Sequence, residues 1–192
     1  MKQAKVVLTL STIFVICGIC SLENGWAYIE PYIASTLYSY NPDMTLEKVQ
    51  AIWLISFFSE FIGANLFRFI NPIFNYRETR TIALLIFSFG LFLVYIHTNE
   101  VTIAIFILCY GIQEGLRVVT SLFTIIGIMP HNIGLAAALT NLGATFGNIY
   151  WSMMAFVLIN PNDQTPTISV LIDKSYENYF GPEIIANMDR FF

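Results

Sequence analysis

The chain has 192 residues, of which 56% are hydrophobic and only 11% are charged, and its formal net charge is -4. A soluble domain usually carries about 25% charged residues, so this composition excludes an ordinary water-facing globule and indicates that a lipid bilayer is the solvent. The sequence has no basic patch with interleaved aromatic residues, so nucleic acid is excluded as a partner.

Five apolar segments follow one another along the chain, and polar turns separate them. They cover approximately residues 6–38, 49–70, 81–96, 101–129 and 133–159. The sequence therefore predicts an all-α, polytopic membrane bundle in residues 1–160, with about five transmembrane helices. Residues 161–192 are polar and acidic and contain helix breakers, which predicts an exposed loop or tail whose last residues start a sixth helix.

The first segment is longer than a bilayer core requires. At ~1.5 Å per residue its length exceeds a core of ~30 Å, so we expect its second part to project beyond the lipid or to bend at Gly25 or Pro31. A polar turn follows it, in which Asp43 or Thr45 is expected to cap the second helix.

The distribution of basic residues predicts the orientation of the bundle. Lys2 and Lys5 precede the first helix, while Arg77 and Arg80 lie between the second and third helices. These positions fall on one face of an alternating five-helix plot, and the other face holds fewer basic residues. The positive-inside rule then places the N-terminus in the cytoplasm and the tail on the opposite side of the membrane.

Spaced glycines mark candidate contacts between helices. Gly111 and Gly115 form a G-x-x-x-G pattern in the fourth segment, and Gly143 and Gly147 form another in the fifth. Lipid provides no hydrophobic force that presses helices together, so close backbone approach through small residues gains importance. Two such patterns in consecutive segments predict a compact bundle.

The apolar segments contain Glu23, Glu60, Glu114 and Arg117 at positions expected within the lipid. A charge at the bilayer centre costs about 2.5–3.5 kcal/mol on insertion scales, so these side chains should face the bundle interior, a water-filled cavity or a partner charge. Glu114 and Arg117 are three residues apart and therefore share one face of the fourth helix.

The spacing of Glu114 and Arg117 leaves two interpretations open. In the first, the two charges neutralise each other and stabilise the bundle. In the second, Arg117 offers its planar guanidinium to an anion such as a carboxylate. A protonatable Glu114, Glu23 or Glu60 would then couple proton movement to anion binding.

The sequence offers few other candidate site residues. Tyr28 and Tyr32, four residues apart, either belong to an interfacial aromatic belt or line the mouth of a cavity. No nucleophile elbow, phosphate-binding loop or metal-ligand spacing occurs. The C-x-x-C of Cys17 and Cys20 lacks the second, loop-borne cysteine pair that a membrane thiol oxidoreductase needs. We therefore predict neither an enzyme nor a cofactor.

The stretch from Tyr110 to Gly147 reads YGIQEGLRVVTSLFTIIGIMPHNIGLAAALTNLGATFG. It resembles the fourth and fifth helices of the major facilitator superfamily, in particular the branch of oxalate–formate antiporters and monocarboxylate transporters. The first helix, with NGWAYIEPYIAS, also looks similar to that branch. The residues that match its pattern in order are Gly111, Gly115, Pro130, Gly134, Leu135, Ala136, Gly143 and Gly147.

This resemblance implies a transporter that moves a small solute, in that branch an organic anion, by alternating access between two six-helix halves. It places Arg117 in a cavity-lining helix. It also makes NPIFNYRETR the equivalent of the family's cytoplasmic gating loop, in which Arg77 and Arg80 keep positive charges and Asn75 replaces an Asp.

Five helices and the edge of a sixth correspond to the N-terminal half of that fold. The expected partners are thus the lipid bilayer, a small solute such as a carboxylate, and a second transporter half. A truncated product or fragment is a further possibility. The alternative function is a non-transporting membrane scaffold or assembly subunit.

Overall fold

The computed structural model describes residue 11 and residues 25–128, 130–131, 133–172 and 175–191. Within these ranges most residues are helical, and the predicted all-α bundle is confirmed. The helices are α1 (Trp26–Tyr40), α2 (Leu46–Ile70), α3 (Tyr76–Ile96), α4 (Glu100–Ile128), α5 (Ile133–Met154) and α6 (Pro182–Phe191). A π-helical turn (Ala155–Ile159) extends α5, and two strands, β1 (Ile168–Ile172) and β2 (Ser175–Tyr179), precede α6.

Four of these helices are long and apolar enough to cross a membrane: α2, α3, α4, and α5 together with its π-helical turn. This finding supports an integral membrane protein. Apart from residue 11, the predicted first helix is described only from Gly25 onward, and it continues from Trp26 through Pro31 to Tyr40. Glu23 lies outside the described residues.

Local capping explains where two helices begin. The side chain of Thr45, one of the two predicted caps, accepts a hydrogen bond from the backbone N–H of Lys48. The third helix begins at Tyr76, well before the expected start at Thr81. Asn75 Oδ1 accepts the N–H of Glu78 at 3.0 Å, and Glu78 Oε2 accepts the N–H of Asn75 at 3.0 Å. This reciprocal capping box satisfies two N–H groups that a helix start leaves unpaired.

Helix α4 is the central helix, because α2 and α3 pack along most of its length and α5 also contacts it. α2 and α4 run parallel, since Phe67 near the end of α2 stacks on Phe123 near the end of α4. α3 runs antiparallel to both, with Gly90 against Phe106 and Cys109. Most of α4 is therefore covered on more than one side.

The buried apolar residues form a large cluster and a smaller one. The large cluster lies at the end of the bundle where α2 and α4 begin, and its members include Trp26, Ile29, Ile33, Leu37, Val49, Phe106, Ile107, Tyr179, Ile184 and Met188. The smaller cluster lies towards the opposite end and is centred on Phe67, Ala83 and Leu116. We call these the tail end and the opposite end of the bundle.

The segment after Asn160 has more regular structure than the exposed loop that the sequence predicts. It contains an antiparallel hairpin, in which Ile168 pairs with Tyr179, and the ten-residue helix α6. The expected open loop is thus a folded cap on α1, and the helix begins at Pro182 rather than at the last residues. Ile184 and Met188, one turn apart on α6, are buried against the bundle, which supplies the apolar contact that a short polar segment lacks by itself.

Candidate functional site

Glu114 and Arg117 form a bidentate ion pair inside the bundle. Arg117 Nε donates to Glu114 Oε2 at 2.7 Å, and Arg117 Nη2 donates to Glu114 Oε1. The two side chains are only 5% and 3% exposed. Two parallel N–H···O bonds between a guanidinium and a carboxylate are the strongest hydrogen-bonding arrangement available to these groups. The pair therefore neutralises itself within one turn of α4.

The ion pair lies in the middle of a helix that is long enough to cross a bilayer. Glu114 is halfway between Glu100 and Ile128, the first and last residues of α4. At ~1.5 Å per residue it is about 21 Å from either end. If α4 crosses a membrane, the pair lies near the midplane, where an ionisable group is most costly.

Other buried polar side chains continue from the ion pair along α4. Gln113, Glu114, Arg117, Thr120 and Ser121 are all buried, and we call them the polar stripe. Their spacings of three and four residues place them on one side of the helix. Within the described part of the chain, Gln113 Oε1 has no hydrogen-bond partner. The stripe is therefore a buried surface that holds both charge and hydrogen-bonding capacity.

The side of α4 next to Glu114 packs closely against α2. A Cβ atom at Gly111 would overlap the side chain of Ser59, and one at Gly115 would overlap the backbone of Glu60. At about 100° per residue, Arg117 lies about 120° around the helix from Gly111. Glu114, three residues after Gly111, is about 60° from it. The polar stripe thus begins beside the glycine contact with α2 and extends away from it around the helix. The predicted contact residues Gly143 and Gly147 are buried in α5.

Aromatic rings lie beside the polar stripe on the side of the tail end. Trp26 stacks on Trp53 with ring centroids 4.3 Å apart, and Trp53 stacks on Tyr110 at 5.5 Å. Phe87 meets the Tyr110 ring edge-on at 6.4 Å. We call these four residues the aromatic layer. Tyr110 is one helical turn before Glu114, so the layer marks the boundary between the apolar part of α4 and the stripe.

The structure does not bring every predicted site residue to Arg117. Tyr28 is exposed. Tyr32 is half-buried against Phe180 of the tail, with ring centroids 4.7 Å apart, and its hydroxyl accepts a long hydrogen bond from Asn160. Because the folded tail occupies this surface, Tyr32 contacts the tail rather than the stripe.

Glu60 and the loop residues take separate positions. The backbone of Glu60 packs against Gly111 and Gly115, which places Glu60 at the depth of the ion pair, and its side chain is half-buried. The side chain of Asn75 caps α3, and Arg77 is exposed. Arg80 Nε donates to the backbone carbonyl of Tyr76 at 3.4 Å.

Sequence reasoning missed Gln113, Thr120 and Ser121 as part of the site. The signal was present, because these residues continue the spacing of Glu114 and Arg117 in QEGLRVVTS. By contrast, nothing local signals the aromatic layer, whose members come from four helices.

The described residues contain no group of three or more His, Cys, Asp or Glu side chains that could hold a metal ion. Comparison with known proteins gives no further guide: no family model matches the chain, and neither a curated protein nor a solved structure is significantly similar to it.

Proposed function

We propose that this chain is a membrane transporter, or half of one, that moves a small organic anion such as a monocarboxylate by alternating access. The observation that carries the proposal is the buried Glu114–Arg117 pair at the middle of a helix long enough to cross a membrane. Ionisable residues at that depth usually mark a substrate or ion pathway, because their burial is costly.

Stability alone is a weak reason for such a pair. Replacing a buried ion pair with well-packed apolar residues is often neutral or stabilising, by about 1–4 kcal/mol. The N-terminal part of α4 buries Ile103, Phe106 and Ile107 without any charge. Apolar residues throughout would be sufficient to stabilise a purely structural helix. The presence of the ion pair therefore favours a role for it in binding.

The geometry suggests how a proton and an anion would be coupled. While Glu114 is ionised, it occupies the fork of Arg117 that a substrate carboxylate would use. Protonation of Glu114 removes the competing negative charge, and the guanidinium then donates to both oxygens of the substrate carboxylate in the same bidentate geometry. Release of the anion lets Glu114 lose its proton and restore the internal pair. Binding and protonation are thereby linked at one residue pair.

A second candidate function rests on the same geometry. The bidentate bonds already satisfy both carboxylate oxygens of Glu114 within its own helix. A non-transporting scaffold or assembly subunit needs only this internal neutralisation. In that case the pair stabilises the fold and meets no solute.

Uptake of labelled small carboxylates into vesicles tests the proposal, with the chain incorporated alone and with a candidate second half. We expect Arg117→Gln to abolish uptake. We expect Glu114→Gln, which mimics the protonated residue, to retain binding of the anion but to lose the dependence of uptake on a proton gradient.

The matched control is Arg68→Gln, which removes an exposed arginine from the last turn of α2. This variant should transport like the wild type. Equal uptake by wild type and Arg117→Gln would contradict a binding role for Arg117 and return the residue to a structural role. No uptake by the wild type, alone or with the second half, would contradict the transport proposal and leave the scaffold function.

A further inference from the structure

A groove runs along the outer surface between α2 and α4, at the tail end of the bundle. Its volume is about 560 Å³, within the range of about 300–1,000 Å³ that is typical of ligand pockets. We call it the α2–α4 groove. It is lined by Met44, Lys48, Ile52, Ile55, Glu100, Val101, Ala104, Ile105 and Leu108. This groove is separate from the polar stripe and does not enter the proposed transport step.

The groove combines an apolar wall with two opposite charges at one end. Lys48 lies in the first turn of α2 and Glu100 is the first residue of α4. Both side chains are exposed. Lys48 Nζ donates to the backbone carbonyl of Asp43 at 2.7 Å, which uses one of the three N–H donors of an ammonium group. Both charges therefore remain accessible to a ligand.

The position of the charges matches the depth of a lipid headgroup. They lie where two membrane-crossing helices begin, next to the polar turn that ends in Thr45. From Glu100 to Leu108 the groove follows α4 for about 12 Å, at ~1.5 Å per residue. That length covers most of one leaflet of a ~30 Å hydrocarbon core. An acyl chain in the groove would thus lie parallel to the helices.

We propose that the α2–α4 groove binds one phospholipid whose headgroup carries both a phosphate and a primary ammonium, as phosphatidylethanolamine does. The phosphate contacts Lys48, the ammonium contacts Glu100, and an acyl chain lies along Ile52, Ile55 and Ala104. An anionic lipid without an ammonium has a phosphate for Lys48 but no positive charge for the Glu100 carboxylate. A sterol uses neither charge.

Native mass spectrometry of the detergent-solubilised full chain tests this site. The probes are phosphatidylethanolamine and phosphatidylglycerol with identical acyl chains. Exposed ion pairs contribute about 0.2–1 kcal/mol, so we expect the ethanolamine lipid to be retained up to about fivefold better. Glu100→Lys should reverse this preference, and Lys48→Gln should weaken retention of both lipids.

Two further variants make the result specific. Glu47→Gln removes a neighbouring exposed charge that does not line the groove, and it should change nothing. Ala104→Trp fills the apolar part and should lower retention of both lipids. Equal retention of the two lipids by the wild type would overturn the proposal, as would an unchanged preference in Glu100→Lys. Recovery of the chain with a second protein seated in the groove would overturn it as well.

Discussion

The two halves of α4 bury different kinds of side chain. The N-terminal half, Glu100–Tyr110, buries apolar and aromatic side chains against α1, α2 and α3. The C-terminal half, Gly111–Ile128, buries Gly111 and Gly115 against α2 and, beginning beside them, the polar stripe. Both halves belong to one continuous helix with the same neighbours along most of its length. The contrast indicates that the charges are not required to build a helix in this bundle.

The largest expected effect comes from breaking the ion pair in the C-terminal half. Arg117→Leu leaves the carboxylate of Glu114 buried without its guanidinium, which typically costs about 3–5 kcal/mol. Unfolding in mixed micelles, followed by circular dichroism, should report this loss. The double variant Glu114→Leu, Arg117→Leu removes both charges and should recover most of the stability. A double variant as unstable as Arg117→Leu would show that the C-terminal half of α4 needs its charges for stability, which would contradict the contrast with the N-terminal half.

A core deletion in the N-terminal half should affect stability without affecting transport. Ile107 is fully buried, and Ile107→Ala should lower the free energy of unfolding by about 2–5 kcal/mol through lost contacts and a cavity. Vesicle uptake per folded molecule should stay at the wild-type value. Loss of uptake in correctly folded Ile107→Ala would extend the functional region into the apolar half.

Substituting a glycine at the contact between α2 and α4 should lower the free energy of unfolding by a smaller amount, and a second glycine on the same helix provides a control. Gly115→Val would force α2 and α4 apart, because a Cβ at this position overlaps the backbone of Glu60, and overpacking typically costs about 1–3 kcal/mol. Gly127, on the same helix, has no atom within 4 Å of a built Cβ, so Gly127→Val is the matched control. If both variants unfolded alike in the same micelle titration, the close contact would not matter for stability.

The smallest expected loss of stability comes from a substitution outside α4, at the residue that caps the start of α3. Asn75→Ala removes the side-chain cap and should cost about 1 kcal/mol, whereas Asn75→Asp keeps a good capping group and should be neutral. The same unfolding titration measures both variants. A larger loss in Asn75→Asp than in Asn75→Ala would show that the residue does more than cap the helix.

Hydropathy and spacing predicted the helices and the charged pair well, for physical reasons. Bilayer thickness imposes the lengths of α2 and α4, so their observed bounds are close to those expected. The spacing of Glu114 and Arg117 can be read directly from the helical repeat. The start of α3 was misplaced because a capping box within a polar linker, NYRE, begins a helix before the apolar run does.

The tail and the aromatic layer could not be predicted, because both depend on contacts between residues distant in sequence. The backbone N–H of Phe180 donates to Ser35 Oγ at 3.0 Å across 145 residues, and Tyr179 stacks on Tyr38 at 4.2 Å. A polar segment without a long apolar run gives no sign of such a partner. Likewise, Trp26, Trp53 and Tyr110 meet only after three helices have packed.

Exchanging the two charges tests the central claim most directly. The double variant Glu114→Arg, Arg117→Glu keeps an i, i+3 ion pair at the same depth, but it moves the guanidinium by about one helical turn. If Arg117 binds the substrate, the exchanged protein should unfold like the wild type in micelles and should take up no labelled carboxylate into vesicles. Wild-type uptake by the exchanged protein would show that only neutralisation of charge matters, and would contradict a binding role for Arg117.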